Sequence, residues 1–66
     1  MENPANNRAI SEKEADRLIE QSEVIDVHHT EGGTSWIFRD DEVAVVGVAH
    51  FHDDNTYSFF HVRCRR

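Results

Sequence analysis

The spacing of apolar residues changes once along this chain, and that change limits the folds open to it. Ala15, Leu18 and Ile19 recur at helical intervals, whereas from Ile25 onward apolar and polar residues alternate as they do in strands. Clusters of turn-forming residues divide the alternating part into four segments. The pattern therefore predicts an α+β fold, with one N-terminal helix packed on a four-stranded antiparallel β-meander.

The helix is predicted over residues 12–22. Ser11 has the residue type of an N-cap, and Glu14 stands three positions later, which together form a capping-box pattern. The ten residues before Ser11 are mostly polar and are predicted to be flexible. A length of 66 residues suits a single domain. The predicted organisation is a flexible N-terminus over 1–10 and one domain over 11–66.

The predicted strands run over about 25–29, 34–39, 43–52 and 57–64, and the turn positions assign their register. In this register Val27 lies opposite Trp36, Trp36 lies opposite Val45, and Ala49 lies opposite Phe60. The side chains that then share the face beneath the helix are Ile25, Val27, Trp36, Phe38, Val43, Val45, Phe51, Phe60 and Val62. We expect Trp36, Phe38 and Phe60 to be buried under the helix.

The opposite face of this predicted sheet combines histidines with five larger apolar side chains. These are Ile37, Val46, Val48, Tyr57 and Phe59. One short helix cannot cover both faces of a sheet, and an exposed apolar patch of this kind marks an interaction surface. We therefore predict that these residues bind a second copy of the chain, as a homodimer, or another partner; the alternative is that the N-terminal segment folds over them.

Charge narrows the class of partner. The net charge is −6, and residues 1–42 contain eleven acidic against four basic side chains. A protein that binds nucleic acid directly needs a basic surface, so this balance argues against that function. It suits a larger protein with a basic surface, although solubility alone would also account for it.

Acidic residues on the predicted helix repeat at positions i, i+4, i+8 and i+11. Like charges at this spacing lie on one side of a helix and destabilise it by about 0.2–0.5 kcal/mol per pair. Their axial step of about 6 Å is near the spacing of phosphates along a nucleic-acid strand. The predicted partner-binding residues, with the acids of two turns, are Glu12, Asp16, Glu20, Glu23, Asp40, Asp41, Asp53 and Asp54. The alternative is an ordinary solvated helix face.

Histidines offer a second hypothesis. His50 and His52 lie two apart on one predicted strand, and the predicted register places His61 diagonally across from His50. Three imidazoles of this kind resemble a zinc site with an open position. No HExxH pattern and no supporting carboxylate accompanies them, so we predict no metal and no cofactor. The alternative is a metal- or pH-responsive homodimer.

Catalysis and membrane insertion lack sequence support. Cys64 is the only cysteine and no oriented base is implied beside it, so we predict that the protein is not an enzyme. A single thiol fits a reducing compartment, and no apolar run approaches the roughly 20 residues that span a bilayer. We therefore expect a cytoplasmic protein without membrane contact.

In its short length, its acidity and its pairing of one capped helix with one sheet, the chain resembles small phage-encoded inhibitors, anti-CRISPR proteins among them. That resemblance implies a non-enzymatic inhibitor or adaptor that blocks a basic nucleic-acid-binding site on a larger protein. Two other functions stay open at this point: the histidine-based homodimer, and a structural subunit that assembles through the sheet.

Overall fold

The computed structural model describes residues 5–63, with side chains from residue 7 onward. Its elements are β1 (Ala5–Ile10), α1 (Glu12–Gln21), β2 (Asp26–Thr30), β3 (Gly33–Asp40), β4 (Ala44–Phe51) and β5 (Thr56–Arg63). The strands form one antiparallel sheet in the order β1-β5-β4-β3-β2, and α1 packs on β4 and β5. The α+β class is confirmed, with five strands rather than four.

Helix α1 begins where its capping residue predicts. The side-chain oxygen of Ser11 accepts a hydrogen bond from the backbone N–H of Glu14 at 3.1 Å. The carboxylate of Glu14 pairs with the Arg8 guanidinium at 3.3 Å. The helix ends at Gln21, within one residue of the prediction. In the part of the chain that the structure describes, no helix is long and apolar enough to cross a membrane.

Strand β1 corrects the prediction of a flexible N-terminal segment for residues 5–10, while residues 1–4 of that segment lie outside the described residues. Ala5–Ile10 pairs with β5 along its whole length, from Ala5 opposite Val62 to Ile10 opposite Tyr57. Its sequence, ANNRAI, is poor in the β-branched and aromatic residues that favour strands. The strand forms because the outer edge of β5 offers a row of backbone donors and acceptors. Strands β2 to β5 form the predicted meander, and β1 extends it.

The β3–β4 register differs from the prediction by an odd number of residues. Trp36 lies opposite Val48, not opposite Val45, and a β-bulge falls between Ile37 and Arg39. A loop over residues 41–43 joins the strands. An odd shift exchanges the two faces of a sheet, because side chains alternate along each strand.

The other two hairpins show that only part of the predicted register was wrong. Between β2 and β3, Val27 lies opposite Trp36, as predicted. Between β4 and β5, Ala49 lies opposite Ser58 and not opposite Phe60. This shift is even, so it moves residues along the strand without changing their face.

On β4 and β5 the face that α1 packs on is therefore the opposite of the predicted one, whereas Val27 and Trp36 lie on it as predicted. We call it the helix face; its members include Arg8, Ile10, Val27, Trp36, Ala44, Val46, Val48, His50, Tyr57, Phe59 and His61. Val48 at its centre is completely buried, as is Ala15 of the helix. Phe51, on the other side of the sheet, is 48% exposed, so the helix lies on the side of Val48.

The opposite side of the sheet is called the open face. Its members include Asn7, Ala9, Asp26, His28, Ser35, Ile37, Val45, Gly47, Ala49, Phe51, Ser58, Phe60 and Val62. The ring of Phe60 lies over Gly47, where an added Cβ would meet it at 2.7 Å. Phe60 is thus not under the helix, and Trp36 and Phe38 are half-buried. Among the described residues, the buried apolar side chains are Ala15, Ile37, Ala44 and Val48.

Candidate functional site

The outer surface of α1 carries acidic side chains on one side and basic side chains on the other. Glu12, Asp16 and Glu20 are exposed and fall within an arc of about 80° around the helix axis, given 100° per residue. We call these three residues the acidic stripe. Lys13 and Arg17, also exposed, occupy the neighbouring arc. The helix therefore presents an acidic flank and a basic flank side by side.

Glu23, the fourth member of the predicted stripe, does not belong to it. The helix ends at Gln21, and the capping residue Ser22 has extended backbone angles of φ −100° and ψ 153°. Glu23 is exposed but follows this cap, so it no longer has the helical spacing of the others. The sequence prediction extended the periodicity past the point where the helix stops.

Helix α1 starts at an acidic end of the sheet. Strands β1 and β4 are parallel, because each is antiparallel to β5, so α1 starts at the end that holds the β4–β5 turn. Asp53 and Asp54 lie in that turn. The neighbouring β2–β3 turn is joined to it by a 2.9 Å hydrogen bond from the His52 N–H to the carbonyl of Gly32.

The β3–β4 turn, with Asp40 and Asp41, lies at the opposite end of the sheet. Eight-residue strands separate the two ends by about 26 Å. The structure therefore does not gather the predicted partner-binding acids into one patch. It places Asp53 and Asp54 at one end, Asp40 and Asp41 at the other, and the acidic stripe on α1.

None of the three members of the acidic stripe takes part in an ion pair within the described part of the chain. The ion pairs among the described residues are Arg8–Glu14, Asp26–His28 and Arg39–Asp41, so neither Asp16 nor Glu20 takes part in one. Glu20 lies in the last turn of α1, which contains no basic residue. A carboxylate there opposes the negative end of the helix dipole, an effect of about 0.3–1 kcal/mol in general.

Asp41 has a structural role in its turn. Its carboxylate accepts a 2.8 Å hydrogen bond from Nε of Arg39 and further bonds from the backbone N–H groups of Val43 (2.7 Å) and Ala44 (3.0 Å). The Arg39 hydrogen bond, followed by those two backbone bonds, lowers the pKa of Asp41 to about 2. Because its oxygens already shape the loop, we assign Asp41 to the fold rather than to the binding surface.

The predicted apolar interface is not an available surface. Val48 is completely buried, and Ile37 lies on the opposite side of the sheet from the other four residues. Val46, Tyr57 and Phe59 are half-buried on the helix face. Partial burial, with the nearby carboxylates, raises the pKa of Tyr57. The prediction failed because the β3–β4 register was wrong by an odd number of residues. The observed register places Val46, Val48, Tyr57 and Phe59 on the side of the sheet that α1 covers.

The surface that is available lies on the open face. A shallow groove of about 380 Å³ crosses it. Its lining residues are Asn7, Ser35, Ala49, Phe51, Ser58, Phe60 and Val62. Sequence reasoning assigned Phe51, Phe60 and Val62 to the core under the helix. The sequence of β4 was compatible with the observed arrangement too, because β4 is apolar at nearly every position and either of its faces can be buried.

The histidines do not converge on a metal site. His50 stacks on Tyr57 at 4.2 Å between ring centres, and its Nε2 lies 2.8 Å from Oδ1 of Asn55. His52 is next to His50, with ring centres 5.1 Å apart. His61 lies four residues beyond Tyr57 on β5, about 13 Å away along the strand. Among residues 5–63, no three histidine, cysteine or acidic side chains are grouped so as to hold a metal ion.

The predicted position of His61, diagonally opposite His50, is therefore wrong. The β4–β5 register places Tyr57 opposite His50 instead. Cys64, another residue considered for chemistry, lies outside the described residues. Comparison with protein-family models, with curated proteins and with solved structures gave no match.

Proposed function

We propose that this protein is a non-enzymatic, cytoplasmic inhibitor that occupies a basic nucleic-acid-binding site on a larger protein. The observation that supports the proposal is the acidic stripe. Asp16 and Glu20 are exposed, take part in none of the ion pairs of residues 5–63, and lie on a helix that starts at the end of the sheet with Asp53 and Asp54.

The physical basis is electrostatic complementarity. Successive members of the stripe are about 6 Å apart along the helix axis, since four residues rise by 1.5 Å each. A basic groove that binds phosphates offers Lys and Arg side chains to such a row of carboxylates. Interactions of this kind accelerate association and select the partner, and salt screens them.

The position of Glu20 gives further support. A helix stabilised only by its own electrostatics has acids in its first turn and bases in its last. Helix α1 has Glu12 and Glu14 in the first turn but no base in the last, where Glu20 stands. A bound cationic partner would offset the unfavourable interaction of Glu20 with the helix dipole.

The test is to measure affinity for a partner captured from a bacterial lysate and identified by mass spectrometry. We expect that nucleic acid competes with the protein for this partner, and that association slows steeply as salt rises. Reversing both charges in Asp16→Lys/Glu20→Lys should weaken binding at least tenfold, which corresponds to about 1.4 kcal/mol. Folding should be unaffected because both side chains are exposed.

The matched control is Asp53→Lys/Asp54→Lys, which changes the net charge by the same amount at the β4–β5 turn. We expect a smaller loss of affinity from this control than from the helix variant. If the helix variant binds as tightly as the wild type while the turn variant does not bind, the acidic stripe is a solvated face and the proposal fails. Failure of nucleic acid to compete would also contradict it.

A further inference from the structure

We propose that two copies of this chain pack through their open faces, so that the two sheets form the inside of a dimer and the two helices lie outside. This inference goes beyond the inhibitor function and does not depend on it. It also replaces the dimer surface predicted from the sequence, of which Val46, Val48, Tyr57 and Phe59 lie on the helix face.

The first argument is the thinness of the core. Of the four buried apolar residues, Ala15, Ala44 and Val48 belong to the helix side, and Ile37 alone belongs to the open face. The remaining large apolar side chains of the open face are only half-buried, and Phe51 is 48% exposed. Chains of this size commonly bury the missing area by association with a second subunit.

The second argument is charge, and it selects a second copy as the occupant. The chain has a net charge of −6, yet on β1, β5 and β4 the open face carries no charged side chain in the described residues. The acidic residues of the open face lie on β2 and at the end of β3. They are Asp26, which pairs with His28 at 3.1 Å, and Asp40. A basic partner would find no row of carboxylates here. Two copies can meet at this surface without bringing like charges together at its centre.

The third argument is shape. The small side chains of Ser35, Ala49 and Ser58 line the groove together with the larger rings of Phe51 and Phe60. The result is the groove of about 380 Å³ described above. In a two-fold arrangement each copy offers the same groove and the same rings to the other, so projecting rings can fill the facing groove.

The available area is sufficient for a dimer. Strands β1, β3, β4 and β5, about 4.8 Å apart and six to eight residues long at about 3.3 Å per residue, define a face of roughly 500 Å². Two such faces bury about 1,000 Å², which is near the lower limit for a specific interface. We therefore expect a dimer that dissociates on dilution rather than an obligate one.

The test is sedimentation equilibrium of the whole chain at micromolar concentration. The wild type should approach twice 7.7 kDa and dissociate as it is diluted. Phe51→Asp and Ser58→Asp each place a charge on the open face and should shift the protein to monomer. The matched control is Val43→Asp, which adds the same charge at an apolar residue that is 58% exposed in the β3–β4 loop. This variant should stay dimeric.

A wild type that remains monomeric at every concentration tested would overturn the proposal, and so would a dimer that both open-face variants leave intact. In case those variants do not fold, isotope-filtered NMR on a mixture of labelled and unlabelled wild type gives a second readout. Contacts between the Phe60 ring of one copy and the Ala49 methyl group of the other support the proposal. A dimer without such contacts refutes it. Neither result bears on the acidic stripe, because none of these residues belongs to it.

Discussion

Replacing Val48 by alanine tests which face of the sheet the helix covers. Val48 is completely buried. Removing its two methyl groups loses about 1.6 kcal/mol of transfer free energy, at about 0.8 kcal/mol each. A residual cavity of a few tens of Å³ adds about 1 kcal/mol. We expect Val48→Ala to lower the free energy of unfolding by about 2–3 kcal/mol.

That loss is large for this chain. Domains of this length are stable by about 3–10 kcal/mol, at 0.05–0.15 kcal/mol per residue. The midpoint of thermal unfolding should therefore fall by on the order of 10–20 °C. The measurement is urea and thermal unfolding followed by circular dichroism, with each variant compared at the same protein concentration because dimerisation also contributes to stability.

Two variants with the same chemical change serve as controls. Val43→Ala, at a residue 58% exposed, should change the free energy of unfolding by less than about 0.5 kcal/mol. Val45→Ala, half-buried on the open face, should cost less than Val48→Ala. If Val45→Ala proves the more damaging, or if Val48→Ala resembles Val43→Ala, the helix covers the face predicted from strand alternation and our assignment of the faces is wrong.

Three further predictions address local features. Ser11→Ala removes the oxygen that caps α1 and should cost about 1 kcal/mol, measured by urea unfolding; an unchanged midpoint would contradict the observed cap. Gly47→Ala places a Cβ 2.2 Å from the carbonyl oxygen of Trp36 and should cost about 1–3 kcal/mol, whereas Gly32→Ala meets nothing within 4 Å and should be neutral. The carboxyl of Asp41 should titrate near pH 2 by NMR, below the ordinary 3.8. Because its folded pKa is lowered, Asp41 stabilises the fold above about pH 4, and that contribution is lost as pH falls toward 2.

The acidic stripe could be predicted because helical periodicity and capping are local properties. Ser11 marks the first turn, and spacing alone then places Glu12, Asp16 and Glu20 on one side of the helix. The fourth predicted member, Glu23, could not be settled in this way. Nothing in the local sequence shows whether the helix stops at Gln21 or one turn later.

The sites that required a strand register were predicted less well. His50 and His52 share a strand, and their rings are adjacent as their spacing implies. His61 belongs to another strand, so its position relative to His50 depends on where the hairpin turns. Two residues of difference in that turn were enough to separate the three imidazoles.

By itself, the sequence determined the position of the helix, its cap, the approximate strands and the pairing of β2 with β3. The tertiary structure decided which face of the sheet is buried. The run Ala44–Ala49 is apolar or glycine at every position, so its alternation favours neither face. The bulge between Ile37 and Arg39 adds one residue to β3. One added residue reverses which side chains of a strand point toward the helix, and the sequence pattern does not show where such a residue falls. Strand β1 also needed the folded molecule, since its polar sequence becomes a strand only against the edge of β5.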